Sequence, residues 1–84
     1  MVGLGADQGW DDFTYWVDHD RKLAKRIIRL IKEIERDPFD GIGKPEPLKH
    51  DMAGFWSRRI TDEHRLVYSV EKNQILIAQA RYCY

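Results

Sequence analysis

Hydrophobic residues recur at helical spacing in the first half of the chain. Over positions 10–17, bulky apolar residues stand three or four apart, which predicts a short first helix. Asp11 and Asp12 lie near its predicted start, where a helix N-terminus favours negative charge. A longer helix follows and ends before Pro38, which cannot continue it. Candidate N-caps of this second helix are Asp18 and Asp20, and its apolar positions are Leu23, Ile27, Leu30, Ile31 and Ile34.

In the second half of the chain, the spacing of the hydrophobic residues changes to a period of two, which is typical of strands. The loop DPFDGIGKPEPLKHD, with three prolines and two glycines, leads into a predicted strand near Leu48. The segments FWSRRI, HRLVYSV and QILIAQARYCY then alternate, with short breakers at hairpin distances between them. These patterns predict an α+β fold of one domain, residues 1–84, in which two N-terminal helices pack on one face of an antiparallel sheet.

Strand alternation also assigns side chains to the two faces of this sheet. The predicted buried face of the middle strand carries His64, Leu66, Tyr68 and Val70. Its open face carries Arg65, Val67 and Ser69. In the last strand, Arg81 and Cys83 share one face, and Tyr82 and Tyr84 take the other. Arg65 is therefore expected on the side that is left free for function.

Composition narrows the classes of protein. With 84 residues, 43% of them hydrophobic, the chain can build one thin core and is too short for a two-domain enzyme. A single cysteine cannot form an internal disulfide, and no apolar run of membrane-spanning length or secretory leader is visible. We therefore expect a soluble, cytoplasmic protein without a membrane partner.

Positive charge is concentrated in two places. Residues 44–84 carry seven Lys or Arg against five Asp or Glu, and several of these cations stand beside aromatics. That mixture suits single-stranded RNA and equally an ordinary half-buried sheet. The outer face of the second helix is also basic, which fits either a solvated surface or binding to ribosomal RNA. Its cations are Arg21, Lys22, Lys25, Arg26, Arg29, Lys32 and Arg36.

The residue pattern disfavours several kinds of site. The loop glycines do not match a nucleotide-binding fingerprint, and the histidines and cysteine lack the spacing of zinc ligands. A nucleophilic role for Cys83 is disfavoured because negative charge, here the terminal carboxylate, raises the pKa of a thiol. We therefore expect no cofactor and no metal.

RNA cleavage by a ribose 2′-OH needs a base, cations around the phosphate and an acid for the leaving oxygen. Glu46, which stands between two prolines that restrict its backbone, is the candidate base. Arg65 is the candidate catalytic cation, and the candidate substrate-binding cations are Lys44, Lys49, Arg58 and Arg59. Each also has an ordinary interpretation as a loop carboxylate or an exposed ion-pair partner, so a ribonuclease is one of two interpretations at this point.

The segments WDDFTYW, RDPFDGIGKPEPLKHDMAGFWSRRITDEHRLVY and RYCY closely resemble the YoeB (Txe/YoeB) toxins of the RelE/ParE superfamily, over positions 10–84. This resemblance implies the toxin of a type II toxin–antitoxin pair, a ribosome-dependent mRNA endoribonuclease that cuts A-site codons without a metal. It also implies a homodimer and a YefM-like antitoxin that joins the toxin in repressing their operon. By position, the general base falls on Glu46, the phosphate-stabilising cations on Lys49, Arg59 and Arg65, and the terminal aromatic on Tyr84.

One position departs from the family pattern. Family members typically end in RYHY, with the histidine taken as the general acid, whereas this chain has Cys83 there. A thiol is largely protonated at neutral pH, but it is shorter than imidazole and a weak hydrogen-bond donor. Three explanations stay open: a weaker acid, a toxin that binds but barely cuts, or a substitution that makes the toxin tolerable. Because Glu46 and the cations are intact, reduced but real cleavage is the favoured hypothesis.

Two function classes remain open after this resemblance. The first is the endoribonuclease, and the second is a non-cleaving module that blocks the A site or chiefly binds its antitoxin. A gyrase poison of the same superfamily is a weaker third alternative, since that branch generally lacks this glutamate and arginine set. The segment MVGLGADQG, with three glycines in nine residues, also predicts a short or frayed first strand.

Overall fold

A computed structural model describes residues 2–4 and 6–82 of the chain. Its elements follow in the order β1 (Val2–Leu4), α1 (Ala6–His19), α2 (Arg21–Arg36), β2 (Glu46–Pro47), a 3₁₀ turn (His50–Met52), β3 (Phe55–Arg59), β4 (Arg65–Glu71) and β5 (Gln74–Gln79). The predicted α+β class is confirmed, with two helices ahead of the main sheet. In the described ranges, no helix is both long and apolar enough to cross a membrane.

The first helix begins earlier than the hydrophobic pattern predicts. Because α1 starts at Ala6, Asp11 and Asp12 lie inside it, and the expectation that they sit at its N-terminus is wrong. Asp12 is instead a buried carboxylate that faces the sheet. Gly9 allows this close packing, since a Cβ there would collide with the carbonyl oxygen of Ile77.

The second helix matches its sequence signals at both ends. Asp20 is the N-cap, and its carboxylate accepts the backbone N–H groups of Lys22 at 3.1 Å and Leu23 at 3.3 Å. At the other end Asp37 is the C-cap, directly before Pro38. The helix therefore starts and stops where its capping and breaking residues predict.

The sheet has the strand order β1-β5-β4-β3-β2. Strands β2 to β5 are antiparallel neighbours, as predicted, whereas β1 pairs in parallel with β5. The pairing of β1 adds a parallel edge strand to the predicted antiparallel sheet, because the chain leaves β1 through two helices rather than a hairpin. At three residues, β1 is as short as the glycine-rich start predicts.

The helices cover one face of this sheet and form the main core with it. The fully buried members are Ile27, Leu30 and Ile34 of α2, Leu66, Tyr68 and Ile77 of the strands, and Ala80 just after β5. Leu66 and Tyr68 are buried as predicted, but Val70 is 36% exposed because it lies near the β4–β5 hairpin, beside the end of α2. Val67, on the open face, is fully buried between its strand neighbours.

The last strand is shorter than predicted. It ends at Gln79, and the chain bends through Arg81 and Tyr82, where Tyr82 has a φ of 61°. A residue in the left-handed region cannot continue a strand, so the predicted alternation of faces beyond Gln79 is wrong for these two residues. The corresponding assignments of Cys83 and Tyr84 fall outside the described residues.

Candidate active site

The candidate base lies on the open face of the sheet, at its edge. Glu46 pairs with Ser57 of β3, and Ser57 pairs with Val67 of β4, so these three side chains share one face. The next residues in register, Pro47, Trp56 and Tyr68, point the other way, and Trp56 and Tyr68 contact the core. The Glu46 side chain is 57% exposed. A substrate can therefore reach its carboxylate from the side opposite the helices.

Arg65 joins this carboxylate to the centre of the sheet. Its Nη2 lies 3.1 Å from Oε1 of Glu46, and its Nε donates to the hydroxyl of Ser57 at 3.0 Å. The Arg65 side chain is only 16% exposed, and Ser57 is fully buried. These contacts fix the plane of the guanidinium, which is favourable for binding a phosphate. The predicted proximity of Glu46 and Arg65 is thus found in the structure.

The loop before β2 has a specific backbone geometry that places Glu46. Gly43 and Lys44 both have positive φ, 82° and 50°, so the chain turns sharply just before the short strand. The carbonyl oxygen of Gly43 accepts the backbone N–H of Arg59 at 2.7 Å, and Leu48 N–H donates to the carbonyl oxygen of Phe55 at 2.9 Å. Glu46 is therefore held between two backbone bonds to β3, although its strand has two residues.

The other predicted cations lie in different positions relative to this pair. Arg59 is the register partner of Arg65 and shares its face, with a side chain that is 46% exposed. It forms an ion pair with Asp62 at 3.8 Å, which is exposed and constrains the side chain little. Lys44 and Lys49 are exposed on either side of β2 in the sequence.

Arg58 is a correction to the predicted substrate-binding set. Strand alternation turns it to the opposite face from Arg59, and it is fully buried there. Its guanidinium donates to the hydroxyl of Tyr68 at 3.1 Å and to three carbonyl oxygens at 2.6–3.1 Å, those of Asp37, Asp40 and Ile42. A guanidinium that is enclosed in this way cannot also contact RNA.

The basic helix is separated from the Glu46 site by the sheet. The buried stripe of α2 faces the core, so its exposed cations lie on the far side of the molecule. Arg26 is partly a structural residue, since its Nε donates to the carbonyl oxygen of Ile60 at 2.9 Å and its Nη2 to that of Arg59 at 3.3 Å. Arg36 bonds Glu33 at 3.0 Å, and this hydrogen bond raises the pKa of Arg36 and lowers that of Glu33.

Ser57 is the site residue that the sequence analysis missed. It stands two residues before Arg59 in β3, so the alternation that places Arg59 on the open face also places Ser57 there. Its role depends on the register with β4, which sequence spacing does not reveal. Among residues 8–82, no three His, Cys, Asp or Glu side chains come together as a potential metal site.

Comparison with protein families gives a match over nearly the whole chain. Residues 6–84 match the family described as the YoeB-like toxin of bacterial type II toxin-antitoxin systems. Toxin YoeB of Escherichia coli K12 is 56% identical over 84 residues, which is all of both chains. At this identity and coverage, the likeness extends through the strands that carry Glu46 and Arg65.

Solved structures agree with this sequence match. A YoeB/ParE toxin from Agrobacterium tumefaciens has a TM-score of 0.94 at 45% identity, covering 99% of this chain and 98% of that one. The YoeB-YefM complex from Staphylococcus aureus has a TM-score of 0.92 at 42% identity, covering 100% of this chain and 97% of that one. The YoeB dimer from the same organism has a TM-score of 0.91 at 44% identity, covering 99% of this chain and 95% of that one.

Proposed function

The chain belongs to the YoeB-like toxins of bacterial type II toxin–antitoxin systems, and from this premise we propose that it is a ribosome-dependent mRNA endoribonuclease. The observation that carries the proposal is the 3.1 Å contact between Glu46 and Arg65 on the open sheet face. A carboxylate beside a held guanidinium provides the base and the charge stabilisation that phosphodiester cleavage needs. The substrate is the mRNA codon in the ribosomal A site.

The proposed reaction uses the RNA's own ribose as nucleophile. Glu46 accepts the proton of the 2′-OH, the 2′-oxygen forms a bond to the neighbouring phosphorus, and the bond from phosphorus to the 5′-oxygen breaks. The products are a 2′,3′-cyclic phosphate and a 5′-hydroxyl, and the proposal assigns no step to a metal or cofactor. Arg65, held by Ser57 at 3.0 Å, stabilises the negative charge that develops on the phosphoryl oxygens.

The other cations of the open face bind the RNA around this centre. Arg59 lies beside Arg65 in the ladder and is exposed, so it can contact a neighbouring phosphate. Lys44 and Lys49 extend the positive surface past both ends of β2. In this proposal the leaving 5′-oxygen takes its proton from the C-terminal residues, with Cys83 as the weaker acid and Tyr84 as the terminal aromatic.

Three partners follow from the proposed function. The S. aureus relative is described in a complex with YefM and as a dimer, so we propose a YefM-like antitoxin and a homodimer for this chain too. The exposed cations of α2 lie opposite the Glu46 site, where they can contact ribosomal RNA while the open face holds the message. Because translating ribosomes are the site of action, the proposed location is the bacterial cytoplasm. The proposed rRNA-binding cations are Arg21, Lys22, Lys25, Arg29 and Lys32, together with Arg26, whose guanidinium also bonds the carbonyl oxygens of Arg59 and Ile60.

A second candidate function is favoured by one observation, the cysteine at position 83. Without the family's histidine, a toxin that enters the A site and stalls translation while leaving the message intact is the alternative. This second candidate includes a non-cleaving protein whose main role is to bind the antitoxin and repress the operon. The two candidates differ in whether the mRNA is cut.

Substitution of Glu46 by alanine tests the proposal. Primer extension on a translated message, with and without ribosomes, should show cleavage by the parent with ribosomes only. Glu46→Ala should lower the cleavage rate by about 10²–10⁴-fold, because a general base is lost. Glu46 is 57% exposed, so the thermal midpoint should change little. Glu71→Ala, which removes an exposed carboxylate from the far end of β4, is the matched control and should cut like the parent.

Two results would contradict the proposal. An intact message with stalled ribosomes would support the second candidate instead. Cleavage that is equally fast in the parent and in Glu46→Ala would remove Glu46 from the mechanism.

A further inference from the structure

The chain beyond β5 is bound first by the first helix. The backbone N–H of Ala80 donates to Oδ2 of Asp12 at 2.9 Å, and its carbonyl oxygen accepts from Nε1 of Trp16 at 2.9 Å. Asp12 is 4% exposed and also accepts from Nε2 of Gln8 at 2.7 Å. Side chains of α1 therefore satisfy both backbone groups of Ala80, as a neighbouring strand would in a sheet.

Two residues later, the start of β4 binds the same segment. The backbone N–H of Tyr82 donates to Nδ1 of His64 at 2.7 Å, and its carbonyl oxygen accepts the N–H of Arg65 at 3.1 Å. Since a backbone N–H can only donate, Nδ1 of His64 must be the unprotonated ring nitrogen. The ring is held edge-on to Trp16, with centroids 4.7 Å apart.

Side-chain contacts complete the fixation of this bend. The guanidinium carbon of Arg81 lies 3.5 Å from the ring centroid of Tyr15, and Nη2 of Arg81 donates to the Tyr82 hydroxyl at 3.1 Å. Tyr82 has a φ of 61°, a conformation that persists in a non-glycine residue only when its surroundings hold it. Residues 80–82 are thus fixed although they lie outside the sheet.

We propose that these contacts form a tail clamp, made by Asp12, Trp16, His64 and the backbone N–H of Arg65, which holds residues 80–82 and so fixes the backbone from which the last two residues of the sequence continue. His64 is its positioning residue. Tyr82 is bonded directly to Cys83, and the same residue, Arg65, carries both the last backbone bond of the clamp and the guanidinium of the site. The clamp therefore fixes the point from which Cys83 starts. This inference deepens the proposed ribonuclease function and rests on it.

His64 acts through the tail and not on the RNA. It directly precedes Arg65, so alternation turns its ring to the other side of the strand, where it contacts Trp16 of α1. Its Nδ1 is occupied by the Tyr82 N–H. A ring in this place cannot also reach the phosphate that Arg65 binds on the open face.

Two substitutions separate the hydrogen bond from the ring packing. His64→Phe keeps an aromatic ring against Trp16 but has no acceptor, whereas His64→Asn loses the ring and keeps a carbonyl oxygen close to the place of Nδ1. In a Glu46→Ala background, which limits toxicity, amide hydrogen exchange by NMR reports on the clamp without any cleavage. Exchange at Tyr82 should accelerate by about tenfold in His64→Phe and stay near the parent rate in His64→Asn. The Ala80 amide, held by Asp12, is the internal control and should be unchanged in both.

Cleavage in the active background then tests the consequence. At saturating ribosomes, His64→Phe should cut about tenfold more slowly, through kcat, and His64→Asn should recover most of that loss. In a Cys83→Ala, Tyr84→Ala background the further effect of His64→Phe should disappear, because both of the proposed C-terminal functional side chains are gone. A general folding defect would instead slow both backgrounds alike.

The outcomes distinguish the clamp from the proposed function. A Tyr82 amide that is equally protected in His64→Phe would overturn the clamp, as would an unchanged cleavage rate in that variant. A parent that never cuts, combined with the predicted exchange pattern, would leave the clamp in place and overturn the ribonuclease proposal.

Discussion

Two arginines on neighbouring strands, Arg58 and Arg65, show how the two faces of this sheet differ. Arg58 points to the helix side, is fully buried, and donates only to uncharged oxygens, those of Tyr68 and three backbone carbonyls. Arg65 points to the open side, and its described side-chain contacts are the carboxylate of Glu46 and the hydroxyl of Ser57. The first guanidinium is a structural crosslink. The second keeps donors available for an anion from outside.

The buried arginine also supports the exposed site. Its carbonyl acceptors belong to Asp37, Asp40 and Ile42, which lie in the loop that leads into β2 and Glu46. Tyr68 adds to this network by donating its hydroxyl to the carbonyl oxygen of Pro38 at 2.7 Å. Burial raises the pKa of Tyr68, so the hydroxyl keeps the proton that this bond requires. Arg58 and Tyr68, on the helix side of the sheet, therefore fix the loop that leads to Glu46 on the open side.

The largest expected effect comes from breaking this crosslink. Arg58→Leu should lower the free energy of unfolding by about 3 kcal/mol, because several buried oxygens lose their donor at once. Chemical denaturation monitored by tryptophan fluorescence measures this change. The neighbouring substitution Arg59→Leu is the matched control, since that side chain is 46% exposed, and it should cost less than about 0.5 kcal/mol. Equal losses in the two variants would contradict the assignment of Arg58 to the structural face.

The sequence could predict the open face better than the buried one. The period of two in HRLVYSV places Arg65 and Tyr68 on opposite faces of the sheet, and the structure confirms that arrangement. The same rule, applied to FWSRRI, separates Arg58 from Arg59, yet the basic character of both residues suggested a shared role in binding. Charge is a weak guide here because a buried guanidinium is stable when carbonyl oxygens surround it, and those oxygens belong to a loop of irregular backbone.

The C-terminal bend could not be predicted from spacing. Its hydrogen bonds join residues that are 64 and 68 positions apart, Trp16 and Asp12 with Ala80. Local alternation in QILIAQARYCY extends the strand to the end, whereas side chains of α1 and His64 take over the backbone bonds after Gln79. Tertiary contacts of this kind override local strand preference.

A smaller effect should follow from a change on the open face. Arg65→Lys keeps one positive charge but loses the planar fork that bonds Ser57 and Glu46 together. We expect the cleavage rate in the ribosome assay to fall by about 10²-fold, because stabilisation of the phosphoryl oxygens is weakened. The free energy of unfolding should change little, since Glu46 is exposed and such pairs contribute little.

The contrast between the two arginines makes this experiment informative. Arg65→Lys should separate activity from stability, whereas Arg58→Leu should lower both together. Lys72→Arg, at the exposed β4–β5 hairpin, is the control for lysine and arginine exchange and should leave the cleavage rate unchanged. A large loss of stability in Arg65→Lys would mean that Arg65 is a structural residue as well.

The smallest expected effect is a gain at the C-terminus. The open face carries the proposed base and cations, whereas Cys83 stands where the family resemblance implies the acid. Cys83→His should raise the cleavage rate by about tenfold, because an imidazole reaches further than a thiol and donates a stronger hydrogen bond to the leaving 5′-oxygen. Single-turnover cleavage of a ribosome-bound message measures the chemical step directly. Cys83→Ser, which is close in size to the parent side chain, should cut no faster than the parent.

This gain should depend on Glu46 on the open face and on the proposed tail clamp. Glu46→Ala combined with Cys83→His should stay inactive, because an acid cannot replace the missing base. His64→Phe should reduce the gain, since the new imidazole then starts from a backbone that has lost one of its two backbone bonds at Tyr82. If Cys83→His cuts no faster than the parent while its stability is unchanged, position 83 does not supply the proton, and the acid must come from another group near Arg65.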